Sequence, residues 1–312
     1  MEAQAVDPIC ELVALPDTPE WVAARGTGIG ASEAADILGI YGTPYEWFMR
    51  RKGLMPPREE TLPMRLGKAI QPFVIDEYCR ATGEDVGPER MYRSVAWPWM
   101  LATPDGNVIR QRKGIEAKSM GGWRARRELG PEGSDQIPEA YVVQAHHQMA
   151  VCGFDSVDFP VIVEGGLVFF TVPRDEDLIE MIVEETNLAW QRLQSGVAPE
   201  PDFENPRTHD ALKAVYRAVK KGETVQLTAD VIAKWDAAKL MDKEASALAK
   251  ASDLLKARII AAMGNAEFGE FAGRRIKRSL IKIPARTQDA YEFVKISEPR
   301  GKKKKEEEEE DE

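Results

Sequence analysis

The chain has 312 residues with a formal net charge of −10; 43% of residues are hydrophobic and 30% charged. This composition can bury a sizeable core and excludes collagen-like, low-complexity and mostly disordered chains. No apolar run approaches the roughly 20 residues of a membrane span, the acidic start lacks a signal-peptide pattern, and the dispersed Cys10, Cys79 and Cys152 offer neither a disulfide framework nor a zinc site.

In chain order, Ser32 to Leu38 reads as a short helix capped by Ser32, with Glu33 and Asp36 following. Pro44 to Lys52 and Met64 to Ala81 read as helices, the second stopped by Gly83. Val95 to Ala102 reads as a strand and Thr103-Pro104-Asp105-Gly106 as a turn. Asn107 to Arg110 and Gly114 to Lys118 read as strand segments, and Ile137 to Val151 as an amphipathic helix. Val161 to Val163 and Leu167 to Val172, joined through Gly165 and Gly166, form a predicted hairpin, followed by a helix from Asp175 to Leu193.

A Pro-containing stretch from Gly196 to Pro201 reads as a linker, after which the pattern turns mostly helical. Asp210 to Lys221 and Ala229 to Met263 are expected helices, and Phe271 to Ile283 one or two strands. The long helix is expected to pack on the core, with a coiled-coil arm as the alternative. The end, KKKKEEEEEDE, reads as a solvated disordered tail. The expected domains are therefore residues 1–197, a helical appendage with a short basic β segment over 198–300, and a tail over 301–312. The fold class is α/β or α+β, a small mixed sheet wrapped by helices.

The net charge argues weakly against nucleic acid, yet two basic clusters run the other way. Trp123-Arg124-Ala125-Arg126-Arg127 is one; Arg274, Arg275, Lys277, Arg278, Lys282 and Arg286 form the other, with no acidic residue among them. Both are compatible with phosphate binding, and equally with ordinary solvated surface.

Chemistry concentrates in Pro104-Asp105, ten residues, then Glu116-Ala117-Lys118. Asp105 sits at a turn. Glu116 and Lys118 are two apart on a predicted strand, so they share a face. Two carboxylates supply hard oxygen ligands for Mg2+, and the carbonyl of Ala117 is a further candidate ligand. Lys118 suits orienting a water and neutralising charge on a phosphorane. The trio fits metal-assisted phosphodiester hydrolysis; a plain surface cluster on a hairpin is the competing reading. The glycines around Ile29 follow no strand, which argues against a dinucleotide fingerprint.

Four ordered blocks resemble the phage lambda-type exonucleases (YqaJ-type viral recombinases), a branch of the PD-(D/E)xK nucleases. They are Trp21 with Arg25 and Gly28-Ile29-Gly30-Ala31-Ser32-Glu33; Gly67-Lys68-Ala69-Ile70-Gln71-Pro72; Thr103-Pro104-Asp105-Gly106 with Ile115-Glu116-Ala117-Lys118-Ser119; and Ile137-Pro138-Glu139-Ala140-Tyr141 leading to Gln144-Ala145-His146-His147-Gln148-Met149. The resemblance implies a restriction-endonuclease-like core, a central mixed β-sheet flanked by helices, with a C-terminal helical appendage. It implies a 5′-to-3′ exonuclease that digests one strand of a DNA duplex with Mg2+, Mn2+ being the alternative and two ions per site expected. A ring-shaped homotrimer, a single-strand annealing protein as partner and the cytoplasm of a bacterial host follow from the same likeness.

Residue by residue, the likeness assigns catalysis to Asp105, Glu116, Lys118, Gln144 and Gln71, and a terminal 5′-phosphate to Arg25 and Ser32 with Gln144. An arginine and free N–H groups at a helix start suit that phosphate. Where the family has a glutamate before proline, this chain has Gln71, which adds no negative charge; another carboxylate must compensate or metal affinity falls. A restriction-like endonuclease and a non-catalytic DNA-end-binding scaffold stay open as alternatives. His146 and His147 read as core or surface residues, with at most one facing the site.

Overall fold

The computed structural model describes residues 9–279 except 17 and 219. It divides into two compact units, Met1–Arg217 and Ala218–Glu312.

The first unit begins with strand β1 (Cys10–Ala14), helix α1 (Pro19–Arg25), the two-residue β2 (Ile29–Gly30) and α2 (Ala31–Ile37). Ser32 is not the cap of α2. The Glu33 carboxylate takes the N–H of Gly30 at 2.9 Å, so the cap falls at Gly30 and Ser32 lies inside the first turn, exposed. Helix α3 (Pro44–Arg51) and the long α4 (Leu62–Thr82) start where sequence placed them within two residues. Thr43 and Thr61 cap them through their hydroxyls, and prolines that have no N–H to satisfy occupy the first turns. Gly83 ends α4 at φ 74°, a conformation open to glycine.

Short strands follow: β3 (Val86–Gly87), β4 (Met91–Ser94), β5 (Met100–Ala102), β6 (Gly106–Val108), β7 (Lys113–Ile115) and β8 (Lys118–Met120). The strand expected over Val95–Ala102 is mostly a connection between antiparallel β4 and β5. The hydroxyl of Ser94 takes the N–H of Trp97, and Met100 N–H bonds back to Trp97 O, so apolar residues are spent on a turn. Helix α5 (Gly122–Glu128) carries the first basic cluster. Helix α6 (Glu139–Cys152) and α7 (Glu176–Ser195) agree with expectation within two residues, and in the β9–β10 hairpin (Ser156–Val163, Gly166–Pro173) β9 begins five residues before the expected Val161.

Two mixed sheets result. One has the order β1-β4-β5-β2, with β2 parallel to β5. The other has the order β10-β9-β7-β6-β3, and β8 continues β7 as a parallel neighbour of β9. Helix α6 packs on α2, α7, β5 and β9. It is buried almost continuously from Val143 to Val151, so His146, His147 and Gln148 are buried along with its apolar residues. Around it Met149, Phe159, Phe170 and Ile182 are almost wholly buried, each contributing about 1.5–3 kcal/mol. Helices therefore cover a mixed sheet, as the α/β expectation required.

The first unit continues past the expected boundary at residue 197. Helix α8 (Pro206–Val215), capped by Asn205, packs on α3 and buries Ala211 in the cluster that holds Ile29 and Trp47. It starts earlier than Asp210, because Asn205-Pro206 is itself a helix start.

The second unit contains α9 (Ala229–Met263) and the hairpin β11 (Phe268–Phe271) with β12 (Arg274–Lys277). The helix has the bounds read from sequence, but it buries no residue, so packing into a core is not what holds it. The hairpin turns at Ala272-Gly273, both with positive φ. Lys282, Arg286 and the charged tail lie outside the described residues. Among the described residues, no helix is long and apolar enough to cross a membrane.

Candidate active site

The β6–β7 hairpin sets the spacing of the two acids. Gly106 pairs with Ile115 and Asn107 with Gly114, so Asp105 and Glu116 sit on opposite sides of one ladder. Asp105 Oδ2 accepts the N–H of Ala117 at 2.8 Å, which closes the end of that ladder. Neighbours outside the ladder require glycine at two of its positions: a Cβ at Gly106 would run into Val86, and one at Gly114 would meet the Phe154 ring. The backbone N–H of Glu116 reaches Asp158 O at 2.9 Å. The Asp158 carboxylate in turn takes Tyr78 Oη at 2.7 Å and Thr171 Oγ1 at 2.8 Å, tying α4 to the sheet that carries the site.

Glu116 is 5% exposed, and its carboxylate is held from three directions. Oε1 accepts Lys118 Nζ at 2.6 Å and Gln144 Nε2 at 2.6 Å, while Oε2 accepts Gln148 Nε2 at 2.6 Å. Lys118 Nζ also reaches Gln144 Oε1 at 3.3 Å, so one amide bridges both charges. Gln144 and Gln148 are one helical turn apart on α6 and share a face. Charge-assisted bonds of this length are the strong kind.

Burial pushes the Asp105 carboxyl well above the usual carboxylate range, the neighbouring Glu116 adds to it, and Lys118 opposes. Burial works against the Lys118 ammonium, but Glu116 and Asp105 outweigh it and raise its pKa. Two carboxylates face one ammonium, and Asp105 is left short of positive charge. Among the described residues no three His, Cys, Asp or Glu side chains converge as a metal cage. A donor set of two carboxylates and a backbone carbonyl, with room for water, fits a hard, water-retaining cation such as Mg2+.

Asp105, Glu116, Ala117 and Lys118 line a cavity of about 720 Å3. Its walls carry Arg58, Arg124 and Arg207 with Tyr41 and Tyr141. Tyr141 lies between Lys118 and Arg124, whose charged groups are 5.0 and 6.0 Å from the ring centre. Tyr41 is flanked in the same way by Arg58 at 6.0 Å and Arg207 at 5.1 Å. Arg207 belongs to α8, beyond the expected domain boundary.

Gln71 also lines the cavity and donates from Nε2 to Glu89 Oε2 at 3.0 Å. The Glu89 charge is felt at Asp105. Arg25 and Ser32 are not brought into the cavity lining: the Arg25 guanidinium stacks on Trp21 at 4.7 Å, and Ser32 is exposed on α2. His146 and His147 are both buried on backbone carbonyls, of Val142 and Leu101, and neither joins the carboxylates. Burial holds His147 down at about 4, so it is neutral near pH 7.

Sequence reasoning missed Gln148, Glu89 and the Arg58–Tyr41–Arg207 wall. Gln148 carried a signal, since it follows Gln144 by four residues on a predicted helix. The other positions become neighbours only through tertiary packing.

Residues 20–155 match the family model of the YqaJ-like viral recombinase domain. A curated relative, the uncharacterized protein YqaJ of Bacillus subtilis (strain 168), is 26% identical over 258 residues, covering 80% of this chain and 79% of the relative. Among solved structures, the alkaline exonuclease LHK-Exo of Laribacter hongkongensis matches at 24% identity with a TM-score of 0.48, over 57% of this chain and 94% of that one. A phage related exonuclease from Haemophilus somnus 129PT matches at 12% identity with a TM-score of 0.42, over 55% and 95% of the two chains.

Proposed function

From the premise that residues 20–155 carry a YqaJ-like viral recombinase domain, we propose that the protein is a Mg2+-dependent exonuclease. It digests one strand of linear duplex DNA from the 5′ end and leaves 3′ overhangs for single-strand annealing. The observation that carries this reading is the half-buried Asp105 and buried Glu116 that line, with Lys118, a cavity also lined by arginines.

Asp105, Glu116 and the Ala117 carbonyl would hold the cation, Mg2+ or Mn2+, as one or two ions. When bound, it supplies a polarised phosphoryl oxygen and a water of lowered pKa. Lys118 places a positive charge where a pentavalent phosphorus gathers negative charge, and it orients the attacking water. Gln144 fixes both Glu116 and Lys118, so neither has to reorganise. Arg58, Arg124 and Arg207 are assigned to phosphates, and the rings of Tyr41 and Tyr141 hold these cations in place. Arg25 and Ser32, with Gln144, are assigned to the terminal 5′-phosphate. A homotrimeric ring and a single-strand annealing partner belong to the same proposal.

The test is digestion of linear duplex labelled at either end, beside a closed circle, with and without EDTA. Loss of 5′ label from linear DNA alone, and only with free Mg2+, is the expected result. Cutting of the circle would replace this reading with an endonuclease, and binding without cutting would replace it with a scaffold. On the same substrates Arg25→Ala is expected to slow 5′-phosphorylated ends most; equal slowing on 5′-hydroxyl ends would remove Arg25 from the phosphate.

Glu89 answers the missing charge at Gln71. It lies outside ligand distance of a three-carboxylate cage, so it acts by its field. Glu89→Gln is expected to weaken Mn2+ binding to the DNA-free protein several-fold, read by direct titration. Unchanged affinity would show that Gln71 leaves the site short of one charge.

A further inference from the structure

The long helix α9 holds its apolar residues in water. Met241, Leu248 and Leu255 are 67%, 71% and 58% exposed, and Ile259 is 42% exposed. The helix runs 35 residues with no buried position. Met241, Leu248, Leu255 and Ala262 recur every seven residues, and so do Ala238, Ala245, Ser252 and Ile259. The two series are offset by three and four, the spacing of a coiled-coil seam. From Ala238 to Ala262 the seam extends about 36 Å at 1.5 Å per residue.

We propose that α9 pairs with α9 of a second copy of this chain as an antiparallel two-stranded coiled coil centred near Leu248 to Ser252. Two independent features of the sequence choose this occupant and this direction. The first is size. Antiparallel pairing sets each residue of one series against the other series. Leu255 then meets Ala245 of the second copy, Leu248 meets Ser252, and Met241 meets Ile259. Large faces small along most of the seam. Parallel pairing would stack leucine on leucine and alanine on alanine, leaving gaps at every Ala layer.

The second feature is charge. In that same register the flanking positions place Asp242 opposite Lys256 of the second copy, and Glu244 opposite Arg258. The two-fold axis repeats both, so four ion pairs form and all are of opposite sign. In the parallel arrangement these flanks meet as Ala237 with Asp242, Glu244 with Ala249, Ala251 with Lys256 and Arg258 with Met263, with no ion pair. Flanking charges set partner choice and orientation in coiled coils. The other charged residues of this stretch, Lys239, Lys243, Lys250 and Asp253, fall on the outer face of the pair.

This contact is independent of the nuclease reading and of any ring formed by the first unit. The experiment is sedimentation equilibrium of the full chain over a range of concentrations. Leu248→Lys with Leu255→Lys is expected to halve the particle mass at concentrations where the parent is paired. An unchanged mass would overturn the proposal. Asp242→Lys alone sets lysine against Lys256 and is expected to weaken association about tenfold or more. Adding Lys256→Asp restores the opposite pairing and is expected to bring association back to within about threefold of the parent. Neither charge change lies in the seam, so folding of the helix is preserved and is checked by circular dichroism. Association that survives the charge reversal, or that the second change fails to rescue, would overturn the antiparallel register.

Discussion

Lys118→Ala is expected to lower the rate of duplex cleavage by a factor of about 100 to 1,000 or more at saturating Mg2+, while duplex binding stays within about threefold. The ammonium is 2.6 Å from Glu116 and only its cavity side is open, so the charge is held in place by the carboxylate. Removing it deletes the positive charge nearest the point where negative charge accumulates on phosphorus. It also leaves Glu116 with the Gln144 and Gln148 amides as its remaining partners. In the proposed reading binding is assigned to the arginines that line the cavity, Arg58, Arg124 and Arg207. Single-turnover cleavage and filter binding on one duplex separate the two effects. Cleavage within tenfold of the parent would sink the assignment of Lys118 to the chemistry.

The second large effect is expected at Gln148, a residue with no place in the chemistry itself. Gln148→Leu keeps the volume roughly constant and removes the donor that holds Glu116 Oε2 at 2.6 Å. A hydrogen bond to a buried charged group contributes about 1.5–3 kcal/mol. Part of that loss is offset, because the Gln148 carbonyl oxygen is itself buried without a partner and leucine removes it. A net loss of about 2 kcal/mol in urea unfolding is the expected outcome. Cleavage falls as well, since Glu116 is then free to rotate from the geometry shared with Lys118 and Gln144. A variant as stable as the parent would show that the Gln144 and Lys118 contacts suffice to fix the carboxylate.

The residues that could be read before folding are those whose neighbours are local. Asp105 and Glu116 are joined by a hairpin, Lys118 follows by two residues, and Gln144 sits on a helix whose bounds were read within two residues. Caps at Thr43 and Thr61, and the stop at Gly83, are likewise written in three or four adjacent residues. What stayed hidden depends on long-range packing. Arg207 reaches the cavity only because α8 docks on α3, after a Pro-containing stretch that looked like the end of a domain. Val95 to Trp99 is apolar enough for a strand, but local bonds from Ser94 and Trp97 turn it back. Ser32 lost the cap because Glu33 reaches over it to Gly30. The pairing of Gln71 with Glu89 joins α4 to the turn before β4, and no periodic signal connects those positions.

The β6–β7 hairpin has a consequence for how such sites vary through insertion and deletion. Its rungs, Gly106 with Ile115 and Asn107 with Gly114, fix where the acids stand. Ile109 to Arg112 close the far end and bond to Asp85, Glu84 and Gly153 outside the hairpin, so a change of length there must keep those contacts or replace them. One residue added on the acid side of either rung would turn Glu116 to the opposite face of its strand. Strand register, more than the number of residues separating the two carboxylates, is therefore what brings the acids together.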